Sequence, residues 1–197
     1  MFTHQVSDEI ELRLLQEHHV AEFYAWQMEN SEHLRRWLDW PLDENYSIED
    51  SRGFIKRWLN RFADNNGFEA GIWYQGKLVG EVSVDRIDWT NKVAEMGYSL
   101  GAEYQGRGIV TACMRVLIDC IFDELKLNRV ELRCADENLK SRAVAERLGF
   151  TREGELRESW LIHGSLVGQV VYGMLASEWS AGEAERESRE TKIKKSL

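Results

Sequence analysis

The chain has 197 residues, of which 43% are apolar and 30% charged, and its formal net charge is −9. This length suits one domain with a substantial core and is short for two. The acidic balance argues against general nucleic-acid binding, which needs a basic surface, and favours a cationic partner such as an amine or a basic protein tail.

The ends and the cysteines of the chain predict a cytoplasmic protein. The N-terminus lacks the basic start and apolar run of a signal peptide, and no apolar stretch approaches the roughly 20 residues that a membrane span needs. Cys113, Cys120 and Cys134 are odd in number and lack metal-ligand spacing, so we expect buried free thiols in a reducing compartment. The histidines also lack ligand spacing, and no metal site is expected.

Apolar periodicity and turn residues predict five elements in the first half of the chain. Ser47 and Asp50 have the spacing of a capping box, which marks the start of one of the helices. The elements are a strand at Ile10–Leu15, a helix at Glu17–Asn30, a helix from Ser47 to about Asn65, and a hairpin of strands Phe68–Tyr74 and Leu78–Arg86.

Six more elements are predicted in the second half. They are a strand at Val93–Leu100, a helix from about Ile109, a strand at Arg129–Cys134, a helix at Leu139–Leu148, and strands near Phe150–Leu156 and Val167–Leu175. This order predicts an α+β domain over residues 1–179, with about seven strands in a mostly antiparallel mixed sheet flanked by about four helices. Residues 180–197 are mostly charged, so we expect a frayed or helical tail outside the core.

A glycine-rich turn connects the strand that ends at Leu100 to the following helix. Gly106 and Gly108 remove the Cβ atoms that would keep a phosphate away from the backbone. The free N–H groups and the dipole of the helix N-terminus favour an anion such as a pyrophosphate. A Walker loop is excluded, since no Lys-Ser or Lys-Thr follows, and Thr111 breaks the dinucleotide fingerprint.

Two motifs resemble those of the GNAT acetyltransferases. Gln105–Val110 is similar to the pyrophosphate loop Q/R-x-x-G-x-G/A of that family, although Val110 replaces a glycine or alanine. Asn138–Phe150 resembles the family's N-x-x-S-x-x-x-x-x-x-L-G-F block and follows at the expected distance. From Ala94 to Val130, further short strings resemble the RimJ/RimL-type branch. The resemblance covers about residues 8 to 179.

This resemblance implies a GNAT fold and acetyl-CoA as co-substrate, with no metal. It implies transfer of an acetyl group to a primary amine, with the N-terminal α-amine of a ribosomal protein as the leading acceptor, and a homodimer or higher homo-oligomer is common in the branch. The residues expected to bind the cofactor are Tyr98, Leu100, Gln105, Gly106, Arg107, Gly108, Ile109, Val110, Asn138 and Ser141. Without its sequence context, Asn138 is better interpreted as an ordinary helix N-cap than as a ligand-binding residue.

Catalysis needs a base for the amine and an acid for the departing thiolate. Glu95 is our first candidate for the base, because it matches a strand glutamate that has this role in the histone-type branch; the alternative is a structural ion pair. Ser141 is the candidate acid, and its alternative role is helix capping. A backbone N–H near Tyr98 to Leu100 is the expected donor to the carbonyl oxygen.

One departure from the branch concerns a glutamate common in the segment near Trp160. Here Trp160 occupies that position, and Glu158 stands two residues before it. Residues two apart in a strand share a face, so Glu158 is a candidate substitute.

The aromatic residues Trp37 and Trp40 fall where enzymes of this family form the acceptor mouth. Aromatic walls with acidic neighbours suit a cationic peptide or amine, whereas simple packing of the helices against the sheet is the competing interpretation. Two other functions stay open. One is acetylation of a small-molecule amine such as a polyamine, amino sugar or antibiotic, and the other is a catalytically silent acyl-CoA-binding protein.

Overall fold

The structure is a computed structural model that describes residues 3–182. Over this range the chain forms eight strands, which belong to one sheet. The strands are β1 (Thr3–Gln5), β2 (Ile10–Leu14), β3 (Phe68–Tyr74), β4 (Lys77–Asp88), β5 (Val93–Leu100), β6 (Arg129–Ala135), β7 (Thr151–Ile162) and β8 (Ser165–Leu175). Their order in the sheet is β1-β2-β3-β4-β5-β6-β8-β7, and only the β5–β6 pair is parallel.

Five α-helices lie between β2 and β7, and a further helical segment follows β8 at residues 176–182. They are α1 (Val20–Glu29), α2 (Ser31–Arg35), α3 (Ile48–Ala63), α4 (Ile109–Asp119) and α5 (Leu139–Leu148). A π-helical turn, Cys120–Glu124, continues α4. The predicted capping box starts α3, because the Ser47 hydroxyl accepts from the Asp50 N–H and the Asp50 carboxylate accepts from the Ser47 N–H.

The predicted α+β fold is confirmed, and the differences are local. The short edge strand β1 was not predicted, since three residues carry no periodicity. The single helix predicted over Glu17–Asn30 is a 3₁₀ turn followed by α1, which ends where the Asn30 amide donates to the Trp26 carbonyl, and α2 begins at once. Strand β7 reaches Ile162, well past the predicted end at Leu156.

The two faces of the sheet carry different layers. On one face α4 and α5 cover the larger apolar core, in which Val82, Met96 and Met114 are almost completely buried. On the other face α1 and α3 pack around Trp73 and Phe23. Strand β4 lies at the centre, and its residues from Leu78 to Ser83 are buried although they alternate between the faces.

The parallel pairing of β5 with β6 ends partway along both strands. Paired residues run from Val93 and Arg129 to Met96 and Leu132. Beyond them β5 continues to Leu100 beside β4, and β6 continues to Ala135 beside β8. The two strands therefore diverge, and we call the gap between residues 97–100 and 133–135 the wedge.

The C-terminal end of the described chain is helical over residues 176–182. Trp179 is buried there, and its indole N–H donates to Asp119 at 2.6 Å. Most of the predicted tail, residues 183–197, lies outside the described residues, so the boundary at 179 stays a prediction. From residue 3 to residue 182, none of the helices is both long and apolar enough to cross a membrane.

Candidate active site

A cavity of about 1240 Å³ is centred on the wedge. Consecutive residues of β5, from Glu95 to Leu100, and of β6, from Leu132 to Ala135, line it. Neighbouring strand residues point to opposite faces, so the cavity reaches both faces of the sheet. One end lies between α4 and α5, and the other lies beneath α3.

The glycine turn forms the first of these ends. Gly106 and Gly108 have φ angles of +75° and +77°, and a Cβ added to either would meet nothing within 4 Å. Gly108 is the N-cap of α4, and the first bond of the helix runs from the Ala112 N–H to the Gly108 carbonyl. The preceding N–H groups have no partner within the helix and border open space, which is the geometry that a pyrophosphate needs.

The two apolar residues that follow Gly108 can contribute only their backbone to a phosphate site, because their side chains are buried. Ile109 and Val110 are 1% and 8% exposed, and both side chains belong to the core. Only their backbone can face a bound phosphate, which explains how Val110 replaces the family's glycine or alanine. Arg107 points to the surface, where its guanidinium donates to the Glu103 carbonyl and lies 5.3 Å from the centre of the Tyr104 ring.

Basic side chains surround the same end. Lys140 donates to the Gln105 carboxamide at 2.6 Å, and Arg147 donates to the Thr111 hydroxyl at 3.1 Å. Both residues line the cavity. They were not predicted from the sequence, although their spacing of seven residues places them on one face of a helix that borders the glycine turn. This end of the cavity is cationic in a chain of net charge −9.

Ser141 and Tyr98 bridge the wedge. Their hydroxyl oxygens lie 2.7 Å apart, and the Tyr98 hydroxyl also lies 3.0 Å from the Ser141 carbonyl. Asn138 caps α5 by accepting from the Ser141 N–H, which leaves the Ser141 hydroxyl free for Tyr98. Burial raises the pKa of the Tyr98 phenol, so the phenol keeps its proton. Capping therefore uses the backbone of Ser141 and does not compete with a chemical role for its side chain.

The opposite end of the cavity contains three carboxyl groups, those of the buried Glu69 and Glu81 and of the half-buried Asp85, which we call the acid cluster. Glu81 is 5% exposed and accepts from the Ser99 hydroxyl at 2.6 Å. Asp85 accepts from the Ser83 hydroxyl at 2.7 Å. Glu69 is 1% exposed, and neither of its carboxyl oxygens has a hydrogen-bond partner among the described residues.

Burial shifts the protonation of the whole acid cluster. It raises the pKa of Glu81 to about 8 and that of Asp85 to about 6. Burial also raises the pKa of Glu69 well above its usual range, and repulsion from Glu81 and Asp85 adds to the effect. Such shifts are typical of functional sites. The cluster was not predicted, although the alternation Glu81-Val-Ser-Val-Asp85 places acidic groups on one face of a strand.

The position of Glu95 is compatible with both interpretations given to it from the sequence. It lines the cavity, and its carboxylate lies 3.8 Å from the guanidinium of Arg133 on the neighbouring strand. The side chain is 29% exposed, so it differs from the acid cluster in contacting solvent.

Glu158 lies outside the set of residues that line the cavity. Leu156 pairs with Gln169 and Trp160 pairs with Val167, so β7 contains two extra residues between these pairs. Glu158 is in this bulge with a φ of +48° and is exposed. The bulge breaks the strand alternation on which its proposed equivalence to Trp160 depends, and Trp160 itself lines the cavity.

Aromatic side chains form the wall above the acid cluster. Trp37 and Trp40 both line the cavity, together with Phe54 and Trp58 of α3. The Trp40 ring also packs edge-on against Phe54 at 5.3 Å, so it stabilises the helical layer as well. The two interpretations of Trp40 are therefore compatible. Within the described part of the chain, the acid cluster included, no three histidine, cysteine or acidic side chains are grouped to hold a metal ion.

Comparison with known proteins agrees with this geometry. The acetyltransferase (GNAT) domain family matches residues 9–151. The protein named "Putative ribosomal N-acetyltransferase YdaF" from Bacillus subtilis (strain 168) is 40% identical over 181 residues, which cover 91% of this chain and 98% of YdaF. The ribosomal-protein-serine acetyltransferase of Escherichia coli (strain K12) is 33% identical over 159 residues, covering 80% of this chain and 87% of that protein.

A solved structure extends the comparison to the bound ligand. The microcin C7 self-immunity acetyltransferase MccE, in complex with acetyl-CoA and AMP, matches with a TM-score of 0.82 at 34% identity, covering 86% of this chain and 94% of MccE. The chain belongs to the GNAT acetyltransferase family. It is an acyltransferase that uses acetyl-CoA as co-substrate, and both predictions from the sequence are confirmed.

The raised pKa of Glu81 predicts a pH-dependent stability effect. A carboxyl group with a raised pKa stabilises the fold fully below its unfolded value, 4.5, and this contribution is lost as the pH rises through about 8. Glu81→Gln removes the ionisation. We therefore expect the Tm of the ligand-free variant, relative to the wild type, to increase between pH 5 and pH 8, as measured by calorimetry.

The control is Glu155→Gln, which removes a half-exposed carboxylate from β7. Its Tm difference from the wild type is expected to stay constant over the same range. A constant difference for Glu81→Gln as well would mean that Glu81 is ionised throughout and that its pKa is not raised.

Proposed function

We propose that this enzyme acetylates the N-terminal α-amine of a protein, with a ribosomal protein as the leading acceptor. The observation that carries the proposal is the cavity through the wedge, which joins a cationic end at the glycine turn to an acidic, aromatic end on the other face of the sheet. The first end suits a pyrophosphate, and the second suits an ammonium group.

The cationic end supplies the groups that would hold acetyl-CoA. The backbone borders open space at Gly106 and Gly108, so the N–H groups from Gly106 to Val110 are our proposed donors to the pyrophosphate, and Lys140 and Arg147 add positive charge for the phosphates. When bound, acetyl-CoA supplies the thioester carbonyl that an amine attacks. The backbone of Tyr98 to Leu100 lacks a strand partner on the wedge side, so an N–H there is our proposed donor to that carbonyl.

Proton transfer at the amine is assigned to Glu95. An α-amine is partly protonated near neutral pH and must lose a proton before it attacks. Glu95 lies on β5 on the same face as Gly97 and Ser99 and borders the cavity, so it can accept that proton directly or through one water molecule.

The departing thiolate needs a proton on the other side of the wedge. Ser141 presents its hydroxyl there, and Tyr98 lies 2.7 Å behind it as a second donor. Because burial keeps the Tyr98 phenol protonated, the pair forms a short chain from which the sulfur can be protonated. The amine would enter the cavity from the face of the sheet that carries the acid cluster. The thiol would leave from the opposite face, which α5 covers.

The protein acceptor is supported by the relatives YdaF and the ribosomal-protein-serine acetyltransferase, whose names refer to ribosomal targets. A second candidate is a small-molecule amine, favoured by the aromatic wall of Trp37, Trp40, Phe54 and Trp58, which would enclose a compact ligand better than a chain.

The decisive assay measures CoA release with acetyl-CoA and a panel of acceptors. The panel contains peptides with ribosomal-protein N-termini, the same peptides with a blocked α-amine, and polyamines and amino sugars. We expect turnover of the free peptides and mass-spectrometric assignment of the acetyl group to the α-amine. Turnover confined to the small amines would replace the proposal with the second candidate, and CoA binding without any turnover would indicate a catalytically silent protein.

Gly108→Glu is expected to weaken acetyl-CoA binding by at least tenfold, since the new side chain fills the phosphate site with negative charge. Gly76→Glu is the matched control. Gly76 has a φ of +81°, meets nothing within 4 Å and lies in the β3–β4 turn outside the cavity. Both variants bear the same backbone strain, so titration calorimetry with acetyl-CoA isolates the effect of position; equal affinities would contradict the assignment of the turn.

Glu95→Gln is expected to lower kcat by about 10²-fold near pH 7, and higher pH should restore part of the loss because the amine then deprotonates unaided. Glu131→Gln is the control, since Glu131 pairs with Glu95 across the sheet but does not line the cavity. The measurement is kcat between pH 6.5 and pH 9.5. A loss for Glu95→Gln that is unchanged with pH would exclude Glu95 as the base.

A further inference from the structure

None of the three residues of the acid cluster takes part in the proton transfers described above. Glu69 lies on β3, and Glu81 and Asp85 lie on β4, and all three residues line the cavity. None of the ion pairs found in residues 3–182 includes them. Burying Glu69 and Glu81 next to Asp85, without an ion pair to either glutamate, is unfavourable, and such an arrangement persists in proteins mainly where function requires it.

Glu69 shows most clearly that a donor is missing. The hydroxyl groups of Ser99 and Ser83 satisfy one oxygen each on Glu81 and Asp85, but neither oxygen of Glu69 has a partner in the described part of the chain. A buried carboxyl group left without hydrogen bonds is rare in native structures. The pattern indicates that the missing partner is a ligand.

The chemistry of that ligand follows from the cluster. Three acidic groups favour a cation with several N–H donors, which is an ammonium or a guanidinium group, over a neutral or anionic group. The aromatic side chains of Trp40, Phe54 and Trp58 line the same cavity and add to the attraction for a cation.

The sheet register gives the position of the cluster relative to the reacting amine. Asp85 lies over β5, since a Cβ on Gly97 would be 2.9 Å from its carboxylate, and Glu81 pairs with Ser99. Glu69 pairs with Ser83, one strand further from β5. Strands are about 4.8 Å apart, so Glu69 lies roughly 10 Å from the strand that carries Glu95.

We propose that Glu69, Glu81 and Asp85 form a subsite that binds a second cationic group of the acceptor, separate from the amine that is acetylated. The proposal rests on the acetyltransferase function proposed above and specifies its acceptor. The second cation lies roughly 5 to 10 Å from the reacting nitrogen, which is one to two strand spacings. The same chemistry is available from a basic side chain at the first residue of a peptide and from the far amine of a small diamine.

Two matched substrate pairs separate these sources. One pair is a peptide that begins with arginine and the same peptide that begins with citrulline, which has the same shape without the charge. The other pair is 1,4-diaminobutane and butylamine. The assay measures kcat/KM by CoA release, and titration calorimetry of the CoA-bound enzyme measures the affinity for the two small amines independently of turnover.

The wild type is expected to prefer the dicationic member of a pair by at least about tenfold in kcat/KM, or in affinity for the small amines. Glu69→Gln should reduce that preference at least fivefold, because it weakens the dicationic member more than the monocationic member. Glu155→Gln, which changes a half-exposed carboxylate outside the cavity, should leave the preference unchanged.

If the wild type shows equal kcat/KM for both members of each pair and equal affinity for the two small amines, the subsite is overturned. So would a Glu69→Gln variant that weakens both members equally, because Glu69 would then be structural or catalytic. Acetylation of the diamine in preference to butylamine, without turnover of either peptide, would reject the protein acceptor and retain the subsite. Acetylation of both peptides at the same rate would retain the protein acceptor and reject the subsite.

Discussion

The end of the parallel pairing between β5 and β6 is the constraint on which the rest of the site depends. Beyond Met96 and Leu132 the two strands no longer share hydrogen bonds, although each stays paired with its other neighbour. The sheet therefore keeps its integrity while it opens a passage between its faces. An anion-binding helix N-terminus lies on one side of that passage, and buried acids lie on the other.

The two ends of the passage are opposite in charge. The apolar layers on both faces of the sheet hold the strands that carry the charged residues in place. Cores on both faces of the sheet hold β4 in place, so its polar residues Glu81 and Ser83 can remain buried. Ionisation of the Glu81 carboxyl group destabilises the fold, as its raised pKa indicates. A site whose local stability is lowered in this way is expected where binding a ligand supplies the missing interactions.

The parts of the site that could be predicted from the sequence are those encoded by neighbouring residues. The glycine turn and the Asn138–Phe150 block each lie within one short segment, so their spacing was sufficient to indicate a helix N-terminus and its ligand. The acid cluster joins Glu69 to Asp85 across a strand pair, and its burial depends on the register and on α3, neither of which is visible in the order of residues. The bulge that keeps Glu158 outside the cavity depends on how β7 pairs with β8, which the order of residues does not show either.

The central claim is that the passage through the wedge is the binding path of acetyl-CoA, with the thioester next to the hydrogen-bonded hydroxyl groups of Tyr98 and Ser141 on one face and the acidic groups on the other. A crystal structure of the enzyme with bound CoA tests this most directly. We expect the pyrophosphate against the N–H groups of Gly106 to Val110 and the sulfur atom in the wedge, next to the Ser141 hydroxyl. A pyrophosphate bound elsewhere, or a sulfur atom outside the wedge, would contradict the account.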